Sequence, residues 1–351
     1  MSSSIQTGER TDMPDNINGV AWTSRRAIVT GAGSGIGAAT TAALRALGAS
    51  VVAADIDADS AEATAERTGA TPVCLDVGDS TAWTRIVDEH GPFDIAVLNA
   101  GIATNQLRPD DTLPVLGLDD ERYRRIMSVN VDGVVLGSRA VLDHMAATGF
   151  GDIVVTASIA GLVPIAPDPV YGLTKHAVVG FVRSLAAAVD NHGEPLDVTI
   201  SAVCPGFADT AIIDTETKDR ITENGIELLT PEAVAEVMIR ALTERRNGAQ
   251  WVLWPGLDAA EYAWNDPIAG LLPPALGGPR HRSSQRSPQR ARLKRRAFHL
   301  EPRPARPHPT SATRHSSVHA PRRGAPPSDH GADGRRGPRS SSRRRRIRAH
   351  R

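Results

Sequence analysis

Tyr171 and Lys175 lie four residues apart at the start of a helical stretch, so their side chains point the same way. An ammonium beside a phenol favours the phenolate and draws its pKa down from about 10. A phenol tuned in this way can take a proton from an alcohol or return one to a ketone. The chain has only three tyrosines, Tyr123, Tyr171 and Tyr262. Ser158 follows the apolar run Ile153–Ala157, and its hydroxyl can hold a substrate oxygen beside Tyr171. Asn130 sits within the apolar stretch Ile126–Val135, where a buried amide needs a partner or a water. Alone, a Tyr–Lys pair reads as a surface contact. With Ser158 and Asn130 it reads as a proton-transfer site.

A second group of residues has the chemistry of a phosphate cradle. Thr30-Gly31-Ala32-Gly33-Ser34-Gly35-Ile36-Gly37 follows an apolar run and opens a helical one. Glycine lets the backbone turn with positive φ and lets a pyrophosphate approach closely. A helix N-terminus adds unpaired N–H groups and partial positive charge. The strand before and the helix after separate a dinucleotide site from a flexible turn. Asp55 stands 24 residues beyond Gly31. A carboxylate there accepts hydrogen bonds from both hydroxyls of an adenine ribose and repels a 2′-phosphate. Neither Ala32 nor Ile56 is a cation that would neutralise that phosphate, so NAD is expected over NADP.

These groups need a scaffold, and the pattern between Arg25 and Pro255 supplies one. The short apolar runs are Ala27–Thr30, Ser50–Ala54, Thr71–Leu75, Ile95–Asn99, Ile153–Ala157, Val198–Val203 and Trp251–Trp254. Such near-continuous runs fit parallel strands covered on both faces. Helices are expected over Ala38–Leu47, Ser60–Arg67, Thr81–Glu89, Asp120–Ala147, Gly172–Asp190 and Pro231–Thr243. The alternation implies right-handed βαβ crossovers, hence an α/β Rossmann-type doubly wound parallel sheet of about seven strands. Ile102–Leu118 reads as a loop, and Phe207–Thr230 as a mobile flap near the ligand crevice.

Charge divides the chain unevenly. Of its 40 basic and 40 acidic residues, 22 basic but only three acidic ones lie in Arg280–Arg351, so the formal neutrality is a cancellation. The tail is rich in Arg, Pro and Ser and cannot bury enough surface to order itself. The expected organisation is a disordered segment over 1–24, a catalytic domain over 25–265, and a linker with a disordered tail over 266–351. Arg343–Arg346 is the one run that could touch nucleic acid, and it reads as a solvated extension. No stretch approaches the ~20 apolar residues of a membrane span, and residues 1–24 lack a secretory apolar core. Cys74 and Cys204 read as buried free thiols of a reducing compartment, so a cytoplasmic location is expected. No metal site is expected.

Taken together, the Thr30–Gly37 segment, Asn99-Ala100-Gly101, Asn130, Ser158, Tyr171-x-x-x-Lys175 and Pro205-Gly206 resemble the short-chain dehydrogenase/reductase superfamily in order and spacing. The 13-residue step from Ser158 to Tyr171 fits as well, and the resemblance covers about residues 25 to 255. It implies a tetrad of Asn130, Ser158, Tyr171 and Lys175. Tyr171 would transfer the proton, Ser158 would orient the substrate oxygen, and Lys175 would bind the nicotinamide ribose and tune Tyr171. Asn130 would anchor a water that relays protons. It further implies cofactor contacts from Gly31, Gly33, Ser34, Gly35, Ile36, Gly37, Asp76, Val77, Asn99, Ala100, Gly101, Pro205, Gly206 and Thr210, and assembly as a homodimer or homotetramer. The sequence departs from the family's pattern at Leu98 and Ala157 and in a longer stretch from Gly101 to Asn130.

Between Ser158 and Tyr171 lie Leu162, Val163, Pro164, Ile165, Pro167 and Val170, an apolar wall if they line the pocket. A secondary alcohol or ketone with an apolar body suits it better than a sugar or an acid. Asp168 reads equally as a turn residue or a substrate ligand. Alternatives are a 3-oxoacyl-thioester reductase of the same family, a dinucleotide-binding sensor without turnover, and nucleic-acid binding through the tail.

Overall fold

In the computed structural model, residues 16–104 and 113–264 are described, and both stretches belong to one compact unit. The Arg-rich tail and residues 1–15 lie outside them. Seven strands form the parallel sheet: β3 (Arg26–Thr30), β4 (Ser50–Asp55), β5 (Thr71–Cys74), β6 (Ile95–Leu98), β7 (Phe150–Thr156), β8 (Asp197–Pro205) and β9 (Gln250–Leu253). An eighth, β10 (Ala260–Glu261), pairs antiparallel with β9 at the edge. The order is β10-β9-β8-β7-β6-β3-β4-β5. The chain runs outward from β3 through β4 to β5 and then returns to place β6 on the other side of β3. Ligands bind at such a switch point, outside the carboxyl ends of the strands.

The strands are apolar on both faces because helices cover both. On one side Leu44 of α1 (Gly35–Ala46) meets Val234, Met238 and Leu242 of α8 (Pro231–Glu244). On the other lie Trp83 of α3 (Ser80–His90), Val141 of α5 (Gly133–Thr148), and Val178 and Val182 of α6 (Pro169–Asp190). Acidic side chains start several helices: Asp57 accepts from the Asp59 amide at the head of α2 (Ala58–Thr68), and Asp119 from the Arg122 amide at the head of α4 (Asp120–Met127). Such caps satisfy amides that the helix itself cannot.

Four features differ from the sequence expectations. Residues 16–24 are ordered, against the expected disordered segment. β1 (Asn16–Ile17) and β2 (Val20–Ala21) form a hairpin closed by Asn18-Gly19, both at positive φ, with Ile17 and Trp22 buried. Asn-Gly is the pair that a two-residue turn of this hand requires. The expected helix Asp120–Ala147 is broken by a π turn, Ser128–Asp132, which separates α4 from α5 and carries Asn130. The expected flap contains α7 (Thr215–Glu223), whose only buried residue is Ile221, so its apolar period is invisible in sequence. Cys204 is buried and free, but Cys74 is exposed and free, because β5 is an edge strand.

At the amino ends of the strands, away from the cradle, a buried ion network fixes β7. Asp152 is fully buried and takes Arg25 Nη2 at 2.7 Å on one oxygen, and Arg245 Nε at 2.7 Å and the Thr199 hydroxyl at 2.7 Å on the other. Arg25 also pairs with Asp94, and both guanidiniums lie over the Phe150 ring. Removing one partner of a buried pair leaves an uncompensated charge. Replacing Asp152 by Ala is expected to cost about 3–5 kcal/mol, read as a shift of the denaturant midpoint. A shift under about 1 kcal/mol would place the network's charges in effective contact with solvent.

Candidate active site

The cradle is built from close backbone approaches. Gly31 has φ +63°, and a Cβ there would stand 2.9 Å from Ala100 Cα. A Cβ at Gly37 would come within 2.0 Å of the Gly31 carbonyl oxygen, so only glycine lets α1 leave the loop this tightly. Ser34 precedes α1 without a side-chain cap, leaving the first amides of the helix, at Gly35, Ile36 and Gly37, to serve an anionic guest. Asp55, at the end of β4, accepts from the Gly33 amide at 2.8 Å and thus forms the rim of the cradle. Thr210 closes another side, with its methyl 3.0 Å from where a Gly35 Cβ would be. A pyrophosphate flanked by a ribose fits this arrangement of glycines, open amides and one carboxylate.

The remaining expected cofactor residues gather around the same strand ends. Asn99 binds the cradle directly. Its Nδ2 donates to the Thr30 and Gly31 carbonyls at 3.0 and 3.3 Å, and its backbone amide donates to the Thr30 hydroxyl at 2.9 Å. Ala100 N donates to that hydroxyl as well, at 3.1 Å. Gly101 follows beside the reacting groups: a Cβ there would be 3.5 Å from both Asn130 Oδ1 and Lys175 Nζ. Asp76 and Val77 lie just past β5, with Val77 against Gly133 next to the π turn. Pro205 ends β8, and the Gly206 amide donates to the Leu253 carbonyl at 2.8 Å.

Ser158 follows β7 and caps a short 3-10 turn, Ile159–Gly161, by accepting from the Ala160 amide at 3.1 Å. Tyr171 and Lys175 sit in the first two turns of α6, and Asp168 begins that helix by accepting from the Tyr171 amide at 2.9 Å. The other Asp168 oxygen accepts from Thr104 N at 2.9 Å. Asp168 is therefore a helix cap that also pins the loop from β6. Asn130 is buried; its Oδ1 accepts from Ile102 N at 2.8 Å, and its Nδ2 donates to the Ile102 carbonyl at 2.8 Å and the Thr174 hydroxyl at 3.0 Å. All four expected reacting residues are thus joined at one end of the sheet.

The electrostatics correct one expectation. Desolvation pushes the Tyr171 phenol up to about 12; hydrogen bonding to Ser158 opposes this, while Asp168 and Cys204 add to it. Lys175 lies beside the phenol ring. Its Nζ is 5.6 Å from the centroid of the Tyr171 ring and donates to the Thr156 carbonyl at 2.9 Å. Burial draws the ammonium itself down to about 8, with the Cys204 sulfur opposing. Three contributors went unread in the sequence: Thr156, Thr174 and Cys204. The two threonines look like ordinary members of a strand and a helix. Cys204 is visible only as one more apolar residue of β8, yet burial lifts its thiol to about 12 against the pull of the Ser158 amide and Lys175.

Residues 25–221 match the short chain dehydrogenase family. The 2-keto-3-deoxy-L-fuconate dehydrogenase of Xanthomonas campestris pv. campestris is 37% identical over 188 residues, which are 53% of this chain and 59% of that protein. The match therefore spans less than two thirds of that relative's length. The cis-4-hydroxycyclohexanecarboxylate dehydrogenase of Sinomonas cyclohexanicum is 36% identical over 203 residues, 56% of this chain and 78% of that protein. Among solved structures, the 3-ketoacyl-(acyl-carrier-protein) reductase from Brucella melitensis complexed with NADH aligns with a TM-score of 0.58 and 27% identity, covering 67% of this chain and 99% of that one.

The depressed Lys175 pKa has a consequence for stability. Between pH 8 and 10.5 the unfolded chain holds this proton more tightly than the fold, so the contribution of Lys175 rises with pH and is lost as pH falls through about 8. Lys175→Met removes that dependence. The stability of the variant minus that of the parent is expected to grow as pH drops from 10.5 to 8 and to level off below, in paired denaturation curves. A pH-independent difference would show that the ammonium is hydrated in the fold.

Proposed function

The chain belongs to the short chain dehydrogenase family, and from that premise we propose that it is an NAD-dependent oxidoreductase interconverting a secondary alcohol and a ketone on an apolar body. The observation that carries this reading is the meeting of Tyr171, Ser158 and Lys175 with the glycine cradle at one end of the sheet. When bound, the dinucleotide supplies the acceptor for the hydride that leaves the carbinol carbon. Gly31 to Gly37 would hold its pyrophosphate side, Asp55 its adenine ribose, Asp76 and Val77 its adenine, and Asn99 to Gly101, Pro205, Gly206, Thr210 and Lys175 its nicotinamide half.

In oxidation, Ser158 Oγ orients the substrate oxygen and Tyr171 Oη accepts its proton; in reduction the phenol returns it. The ammonium of Lys175 lies on the same helix face and favours the negative charge that develops on the phenolate. Asn130, with its amide committed to Ile102 and Thr174, fixes the corner at Gly101 beside Lys175. A water relay from this corner belongs to the same proposal. Asp55 favours NAD because a 2′-phosphate would meet its carboxylate; the likeness to a reductase crystallised with NADH supports the choice. That same likeness favours reduction of a 3-oxoacyl thioester as the second reading.

The secondary-alcohol class rests on the apolar stretch between Ser158 and Tyr171, in which Val163 stays exposed and Leu162 and Ile165 half-buried. The two relatives are both named dehydrogenases, which supports oxidation of an alcohol; the names themselves, a fuconate and a carboxylate, do not favour an apolar body. Assembly as a homodimer or homotetramer through α5 and α6 is part of the proposal, supported by the exposed Val135 and Leu173 on those helices. So is a cytoplasmic location; no described helix is long and apolar enough to cross a membrane.

A panel of secondary alcohols with NAD, followed by NADH absorbance, tests the activity, and absence of turnover across the panel would refute it. Tyr171→Phe is expected to lower kcat roughly 10²- to 10⁴-fold with NADH affinity retained by fluorescence titration. Oxidation needs the phenolate, whose fraction grows toward the pKa of about 12, so its rate is expected to climb through the alkaline range while ketone reduction does not. Asp55→Ala should narrow the ratio of kcat/KM for NAD over NADP; an unchanged ratio would remove Asp55 as the discriminator.

A further inference from the structure

We propose that Thr156 is a positioning residue that links the dinucleotide cradle to the proton-transfer pair, its hydroxyl held by Asn99 and its carbonyl holding Lys175. The proposal rests on the dehydrogenase reading above for its catalytic meaning, but the link itself is geometric. Thr156 is the last residue of β7, two before Ser158, and is 9% exposed. Its Oγ1 donates to Asn99 Oδ1 at 2.9 Å. Asn99 cannot turn its amide over to find another partner, because Nδ2 is committed to the Thr30 and Gly31 carbonyls. On its other side, the Thr156 carbonyl accepts from Lys175 Nζ at 2.9 Å. A continuous path of hydrogen bonds thus runs from the first glycine of the cradle to the buried ammonium.

Each step of that path restricts the next. The side chain of Thr156 is anchored across β6 to β3, which fixes the last peptide of β7 and therefore the direction of its carbonyl. That carbonyl is the acceptor for the ammonium of Lys175, a residue only 3% exposed. A buried charge depends strongly on such a partner. Valine has the shape of threonine without its hydroxyl. In Thr156→Val the Asn99 oxygen loses this donor in a half-buried site, the end of β7 is released, and the carbonyl no longer points reliably at Lys175. Thr156→Ser keeps the hydroxyl and loses only a methyl group.

Lysine is scarce enough to be followed directly: the chain contains Lys175, Lys218 and Lys294 alone. In full-length protein with nitrogen-labelled lysine, the Lys175 side-chain signal is identified by its loss in Lys175→Met, and its titration is followed by NMR. Thr156→Val is expected to move the Lys175 midpoint down by about one unit, since the acceptor favours the charged form. Its kcat should fall roughly tenfold, more than the KM for the alcohol or the NADH affinity changes. Thr156→Ser should restore the midpoint and kcat to within about twofold of the parent. A Thr156→Val protein that melts lower but keeps the parental midpoint overturns the proposal, as does a Thr156→Ser protein impaired as much as Thr156→Val. If the parent turns over no alcohol, the dehydrogenase reading fails, and the Lys175 midpoint in the two Thr156 variants alone decides the link.

Discussion

A buried ammonium must be held by something, and in this molecule the holding of Lys175 organises one end of the sheet. Its partner is a strand-terminal carbonyl, so the charge can sit correctly only if β7 ends in the correct place. That place is fixed from two directions. Asn99 ties the end of β7 to β6 and β3 at the top, while Arg25 and Arg245 clamp Asp152 at the bottom of the same strand. The strand is in effect tensioned between a polar network at each end with an apolar middle. Buried ion pairs add little net stability compared with apolar packing, but they punish displacement severely. That makes such a clamp useful beneath a strand whose far end must be placed finely.

The parts of the architecture written in local chemistry were legible. Gly31, Gly35 and Gly37 announce a backbone path that other residues cannot follow, and Asp55 stands where that path needs a rim. The parallel strands were legible because burial on both faces of the inner ones leaves short, mostly apolar runs. The Asn18-Gly19 turn carried an equally local signal, but the strands it joins are two residues long and give no alternation to read. α7 escaped notice because a helix that buries a single isoleucine has no apolar stripe.

Other features depend on tertiary context that no spacing reveals. A π turn inserts itself into what the sequence presents as one long helix, and only the fold shows that Asn130 is consumed by Ile102 and Thr174. Cys74 and Cys204 look alike in sequence and differ because one strand lies at the sheet's edge and the other inside it. The direction of the Tyr171 shift depends on the assembled fold in the same way. Spacing on a helix shows that an amine and a phenol share a face, but it does not reveal that desolvation outweighs their attraction or that the amine bonds elsewhere. Thr156 and Thr174 matter through which carbonyl or amide happens to face them, and that is a property of the assembled sheet.

Asp168 gives the crevice a seam. One of its oxygens accepts from the helix that carries Tyr171 and the other from Thr104, so a single side chain stitches the backbone after β6 to the start of α6. A change at Asp168 therefore touches two elements at once, the first turn of the helix that carries the phenol and the backbone that leaves β6.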